Sequence, residues 1–290
     1  MRFDETYSGK VFIKSHPNYE ESKAVLYGMP MDWTVSYRPG SRFGPNKIRE
    51  VSIGLEEYSP YLDRELGDVK FFDAGDIPLP FGNPEKSLAE IETYVHTLLA
   101  DEKIPMGMGG EHLVSLPVMK AVASKYDDLA IIHFDAHTDL RENYEGEEYS
   151  HSTPIRKIAD HIGPKNVYSF GIRSGMKEEF DWAKENGMHL SKFEVLEPLK
   201  EVLPTLEGRS VYITIDMDVL DPAHAPGTGT VDAGGITSRE LLASIHAIAA
   251  SGVNVVGFDL VELAPVYDHS DQTANTASKL MREMILGWIK

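Results

Sequence analysis

The chain contains no cysteine. That excludes a disulfide framework, thiolate catalysis and every thiolate-based metal site, so any metal has to be held by imidazole and carboxylate. No apolar run has the length that crosses a bilayer. The opening MRFDETYSGK has mixed charge and none of the apolar core of a secretory signal, so a cytoplasmic protein with no membrane partner is expected. Basic residues are also scarce: 28 Lys and Arg stand against 46 Asp and Glu, a formal net charge of −18. Binding to a phosphate backbone needs a basic patch, so nucleic acid is a poor partner, whereas a negative field favours small cations. Linkers, low-complexity tracts and internal repeats are missing too, and the whole chain, 1–290, reads as a single domain.

What is present is an alternation of short Val-, Ile- and Phe-rich runs with longer amphipathic stretches, the pattern of βα units around a largely parallel sheet. Strands are expected near 23–29, 69–73, 103–107, 128–134, 166–171, 188–190, 210–216 and 254–260. Helices are expected over 87–102, 237–251 and roughly 271–288, the second opening on a capping-box pattern, Thr237 with Glu240. In open α/β sheets ligands bind beyond the carboxyl ends of the strands.

Chemistry-bearing residues gather at those ends. IIHFDAHTD supplies Asp135, His137 and Asp139, YITIDMDVLDP supplies Asp216 and Asp218, and MGMGGEH supplies His112. In a locally extended backbone the period of two would turn Asp135, His137 and Asp139 to one side, and Asp216 and Asp218 likewise, with Met217 facing away. Carboxylates packed so closely repel and need cations. Two divalent ions balance the charge of four carboxylates, and a bridging hydroxide would complete the cluster. Hard oxygen donors with imidazole favour Mn²⁺, while the affinity order still permits Co²⁺, Ni²⁺ or Zn²⁺. Each motif alone also reads as an N-cap or turn former, since Asp often follows strands in that role. His133 reads as a hydrogen-bonded core residue, and His224 and His269 as loop residues without an assigned role.

MGMGGEHLVSLP, IIHFDAHTD and TIDMDVLDPAHAPGTGT together resemble the signature motifs of the ureohydrolase family, which includes arginases, agmatinases and related amidinohydrolases. The likeness runs from about Ala24 through the C-terminal helix and takes in SYRPGSRFGPNKIRE. It implies a three-layer α/β/α arginase-like fold around a mostly parallel eight-stranded sheet. It also implies two Mn²⁺ per subunit, with His112 and Asp139 on one, His137 and Asp218 on the other, and Asp135 and Asp216 bridging. By the same resemblance Glu262, in GFDLVELAP, pairs with a substrate guanidinium, and His151, in YSHSTP, moves protons. The reaction implied is attack of metal-bridging hydroxide on a guanidino carbon, giving urea and an amine. Trimers or hexamers are typical of the family, so a homo-oligomer is expected.

The segment after DAHTD carries Glu142, Glu145, Glu147 and Glu148 against Arg141. An acidic rim suits a substrate with a second cationic end; the same glutamates also read simply as a solvated loop. DAHTDLRENYEGEEYSHSTP and PVYDHSDQTANTASKL look most like bacterial agmatinases, which implies agmatine hydrolysis to putrescine and urea in putrescine, spermidine and wider polyamine biosynthesis. The alternatives are a guanidinobutyrase or arginase, a single-zinc deacylase on a similar scaffold, and a non-catalytic polyamine-binding regulator.

Overall fold

Strands buried on both faces read as unbroken apolar runs, and AVLYGM at Ala24–Met29 (β1) is buried at every position. The computed structural model describes residues 10–290; the reading of the first ten positions as unlike a secretory signal falls almost wholly outside them. After β1 come α1 (Gly44–Ser52), a short antiparallel hairpin of β2 (Tyr58–Ser59) and β3 (Arg64–Glu65), β4 (Phe71–Asp76), α2 (Pro84–Ala100), β5 (Ile104–Gly109) and α3 (Ser115–Ala123). Then follow β6 (Ala130–Phe134), α4 (Pro154–Ile162), β7 (Val167–Ile172), α5 (Lys177–Glu185), β8 (His189–Lys192) and α6 (Leu196–Val202). The chain ends with β9 (Ser210–Asp216), α7 (Ser238–Ala250), β10 (Asn254–Val261) and α8 (Gln272–Trp288). All eight expected strands are present within a few residues of their expected bounds; the hairpin, too short to show a period, was not foreseen.

The eight-stranded sheet has the order β4-β1-β5-β10-β9-β6-β7-β8, and every pairing in it is parallel. Successive side chains alternate between its faces. In β6, Ala130, Ile132 and Phe134 join one apolar cluster with residues of α1, α6, α7 and α8, while Ile131 joins another with residues of α2, α3, α4 and α5. This is the expected three-layer α/β/α arrangement. β5 and β6 are nearly consecutive in the chain, yet β10 and β9 lie between them. The carboxyl ends of four adjacent central strands, β5, β10, β9 and β6, therefore deliver GGEH, Glu262, DMD and DAHTD to one place.

The helix termini follow the sequence with one difference. Thr237 caps α7 by accepting the Glu240 N–H at 3.1 Å. Glu240 does not complete the box: its carboxylate turns to the Leu196 N–H, 3.5 Å away at the start of α6.

Candidate metal centre

The two acidic motifs converge by a route other than an extended backbone. β6 stops at Phe134, the chain bends at Ala136, and Asp139 takes a left-handed conformation, φ 50°. Among residues with a side chain, Asn and Asp tolerate that region best, which suits an aspartate to this position. After β9, residues 217–219 form a single tight helical turn capped by Asp216, whose Oδ1 accepts the Asp218 N–H at 2.8 Å. Met217 is buried in the core, as expected, but the carboxylates meet through this capped turn. Capping and proximity to the cluster are thus properties of the same residue.

The donor atoms form two groups that share Asp135. His112 Nδ1 lies 3.0 Å from Asp135 Oδ2, 3.2 Å from Asp139 Oδ2 and 3.4 Å from Asp216 Oδ2. His137 Nδ1 lies 3.0 Å from Asp218 Oδ2 and 3.4 Å from the other oxygen of Asp135, Oδ1. Neighbouring ligand atoms around an octahedral ion with bonds of ~2.1 Å stand about 3.0 Å apart, so this spacing suits donors to a common cation. The four aspartates are buried, and among the described residues their ion pairs are with histidines alone, not with Lys or Arg. A buried carboxylate cluster needs positive charge. The donor set, carboxylate and imidazole without thiolate, fits a pair of divalent cations.

The titration of these groups expresses the same demand. Burial would push His112 and His137 down, but the surrounding aspartates outweigh it and hold both well above the usual imidazole range. Burial and the neighbouring Asp218 and Asp135 drive Asp216 well up, and burial with Asp135 lifts Asp139 to about 7. Asp135 goes the other way: burial would raise it, yet contacts with His112, His133 and His137 keep it well below the carboxylate range. Protons and metal ions compete for these atoms.

A proton count fixes the orientation of His112. Tyr212 O–H donates to Asp259 Oδ2 and Thr214 O–H to Asp259 Oδ1, each at 2.6 Å, a length typical of a hydroxyl on a carboxylate. With its only proton spent, Thr214 Oγ1 accepts from His112 Nε2–H at 2.9 Å. In the neutral ring, the form that can ligate a cation, Nδ1 is then the bare nitrogen, facing the aspartates. Gly107 of β5 makes room for this buried carboxylate: a Cβ there would stand 2.9 Å from Asp259 Cβ. His133, read as a hydrogen-bonded core residue, is buried between Ser169 Oγ and Asp135 Oδ2, 2.8 Å from each. His224 and His269 lie outside the pocket.

Over the cluster opens a pocket of about 340 Å³, lined by His112, His137, Asp139, Asp216, Asp218, His151 and Glu262 among others. Asp135 lies beneath, fully buried. Glu262 has a left-handed backbone, φ 64°, and its Oε1 accepts the His112 N–H at 2.7 Å, leaving Oε2 without that tie. Burial and the nearby Glu111 push it well above the usual range. His151 donates Nδ1–H to the Thr34 carbonyl at 2.8 Å, its Nε2 lies 3.3 Å from Ser36 Oγ, and burial lowers its pKa.

Comparison with known proteins agrees with this architecture. The model of the Arginase family matches residues 22–287. An agmatinase of Bacillus subtilis (strain 168) is 79% identical over the full length of both chains. This chain belongs to the arginase family. A human mitochondrial guanidino acid hydrolase is 35% identical, over 90% of this chain and 77% of its own. The crystal structure of the agmatine ureohydrolase of Thermoplasma volcanium superposes with a TM-score of 0.88 at 31% identity, covering 97% of this chain and 94% of that one.

Against the arginase-family scaffold, the acidic rim needs correction. Glu142, Glu145, Glu147 and Glu148 are exposed and do not line the pocket, and Glu148 instead pairs with Lys157 at 3.1 Å. A tight turn with reciprocal Tyr144 and Glu147 backbone bonds, both 2.9 Å, leaves Arg141 and Tyr144 at the mouth. Arg141 stacks over the Tyr144 ring, 4.9 Å from its centroid. Several contributors escaped the sequence reading. Arg173 holds the DMD turn through the carbonyls of Asp218 (2.7 Å) and Val219 (3.2 Å). Thr34, Ser36, Glu111, Thr214 and Asp259 escaped it as well; the last three lie inside MGMGGEH, YITIDMDVLDP and GFDLVELAP, but their partners are remote in sequence.

Proposed function

We propose that this chain is a manganese-dependent agmatinase, hydrolysing agmatine to putrescine and urea, with His112, Asp135, His137, Asp139, Asp216 and Asp218 holding two Mn²⁺ per subunit. The observation that carries the reading is the pair of donor groups sharing Asp135 at the floor of the pocket. The agmatinase name of the 79%-identical relative supports the substrate. When bound, the cations supply a hydrolytic nucleophile at neutral pH and offset the negative charge that develops in the transition state.

The chain's own residues do the rest. Glu262 binds the guanidinium through Oε2, while its Oε1 stays tied to the His112 backbone. The carboxylate is thereby aimed before substrate arrives. His151 carries a proton on Nε2 to the departing amine; Nδ1–H, committed to Thr34, keeps the ring in place. His112 and Asp139 would hold one cation and His137 and Asp218 the other, with Asp135, which meets both donor groups, and Asp216 available to both. This reading assigns the reaction to polyamine synthesis, and the family resemblance leads us to expect a cytoplasmic homo-oligomer.

A second reading rests on Arg141. A cation at the mouth suits a substrate with a carboxylate tail, and the 35%-identical human relative is named a guanidino acid hydrolase. The test of the metal reading is to titrate metal-free protein with Mn²⁺ while following urea release from agmatine. Activity should saturate at two ions per chain and be lost in Asp135→Asn. Saturation at one ion, or an active Asp135→Asn, would contradict it.

A further inference from the structure

His151 reaches the pocket from a segment with no motif beyond its own histidine, yet two ties hold it through one residue. The Thr34 carbonyl accepts Nδ1–H at 2.8 Å, and Thr34 Oγ1 accepts the His151 backbone N–H at 2.9 Å. Thr34 itself lies in the stretch between β1 and α1 that has no regular structure. What fixes it is Glu111. The Glu111 N–H donates to the Met31 carbonyl at 2.7 Å, and Glu111 Oε2 accepts the Thr34 N–H at 2.9 Å, so backbone and side chain of one residue clamp both ends of residues 31–34. Gly110 completes the seam, its N–H donating to the Met29 carbonyl at 2.8 Å.

The Glu111 side chain is fully buried and does not line the pocket, so it touches neither the candidate cations nor the substrate volume. A buried carboxyl is costly to keep, and an apolar residue there would leave the Thr34 N–H without its acceptor. We propose that Glu111 is a positioning residue for proton transfer: through Thr34 it holds the His151 ring so that Nε2 faces the reacting centre. This rests on the reading of His151 as the proton carrier. The carbonyl of Thr34 must accept, so Nδ1 must donate, and the ring presents the pocket with Nε2 alone. If Thr34 shifts, both ties to His151 shift with it.

The test is a double-mutant cycle on the manganese-loaded full chain, with kcat and KM for agmatine and bound metal measured for each variant. Glu111→Gln retains an acceptor for the Thr34 N–H and should keep kcat within about twofold, whereas Glu111→Met should lower kcat by about 10- to 100-fold with KM and metal content little changed. In a His151→Ala background Glu111→Met should cost less than about twofold, because nothing remains to be positioned. Equal losses in both backgrounds, or a Glu111→Gln as impaired as Glu111→Met, overturn the proposal while leaving His151 its role. A His151→Ala with unchanged kcat overturns both. Should Glu111→Met fail to fold, Thr34→Val carries the same cycle: it removes only Oγ1, so a kcat loss of about tenfold confined to the His151 background supports the proposal, and an additive loss or none overturns it.

Discussion

Asp259 has two oxygens and both are occupied by hydroxyls, which is why the proton on His112 has one place to go. Asp259→Asn reverses that logic, because an amide N–H donated to Thr214 frees the hydroxyl proton to point at His112 Nε2 and moves the ring proton to Nδ1. Such partners of a ligating histidine typically change metal affinity by 10- to 100-fold, so Asp259→Asn should bind Mn²⁺ at least about tenfold more weakly in a chelator competition, with unchanged circular dichroism. Affinity equal to the parent's would contradict the assignment. His151 gives a second residue-scale prediction. Burial lowers its pKa, so the folded state binds fewer protons than the unfolded chain near pH 6. Its stabilising effect is complete above the unfolded value of ~6.5 and declines as pH falls from there toward the folded value. The melting temperature of His151→Asn should therefore fall less than the parent's between about pH 7 and 5, and parallel curves would refute this. At this scale the six candidate ligands and Glu262 drew attention as motif residues just past strand ends, whereas His151, in the loop before α4, came from the family resemblance of YSHSTP alone. Thr34, Glu111 and Asp259 were not legible, since each acts through a partner at least 45 positions away in the chain.

Elements place these residues, and two of their termini can be separated experimentally. Thr237 caps α7 and does not line the pocket, so Thr237→Ala should cost about 1 kcal/mol in urea denaturation with kcat unchanged. Gly110 lies where the chain leaves β5, and a Cβ there would stand 1.9 Å from the Met31 carbonyl oxygen. Gly110→Ala should destabilise by more than about 2 kcal/mol and impair metal retention together, since GGEH must move. A Gly110→Ala protein with normal stability and metal content would show that the close approach relaxes freely. The strands were legible from sequence because buried parallel strands are continuous apolar runs, and the cap because Thr237 precedes a helical period. The convergence of DAHTD and DMD was legible as an outcome but not as a mechanism: an extended backbone was expected, whereas a bend, a left-handed Asp139 and an Asp-capped turn do the work. Strand order was invisible because the pairing of β5 with β10 and of β9 with β6 depends on contacts remote in sequence.

At the scale of the whole molecule the net charge of −18 bears on how substrate arrives. The loop glutamates do not touch the pocket, so their influence is long-range and screened by salt with a Debye length of about 8 Å at physiological ionic strength. The kcat/KM for agmatine, a dication, should fall with added salt more steeply than that for 4-guanidinobutyrate, which has no net charge. Equal slopes would mean that the acidic surface serves solubility alone. The central claim, agmatine hydrolysis in this pocket, meets its most direct test in one comparison: kcat/KM of the manganese-loaded protein for agmatine, arginine and 4-guanidinobutyrate, each followed by urea release. The account predicts turnover of agmatine exceeding the other two by orders of magnitude. Preference for 4-guanidinobutyrate would contradict it and give Arg141 the role of binding a substrate carboxylate.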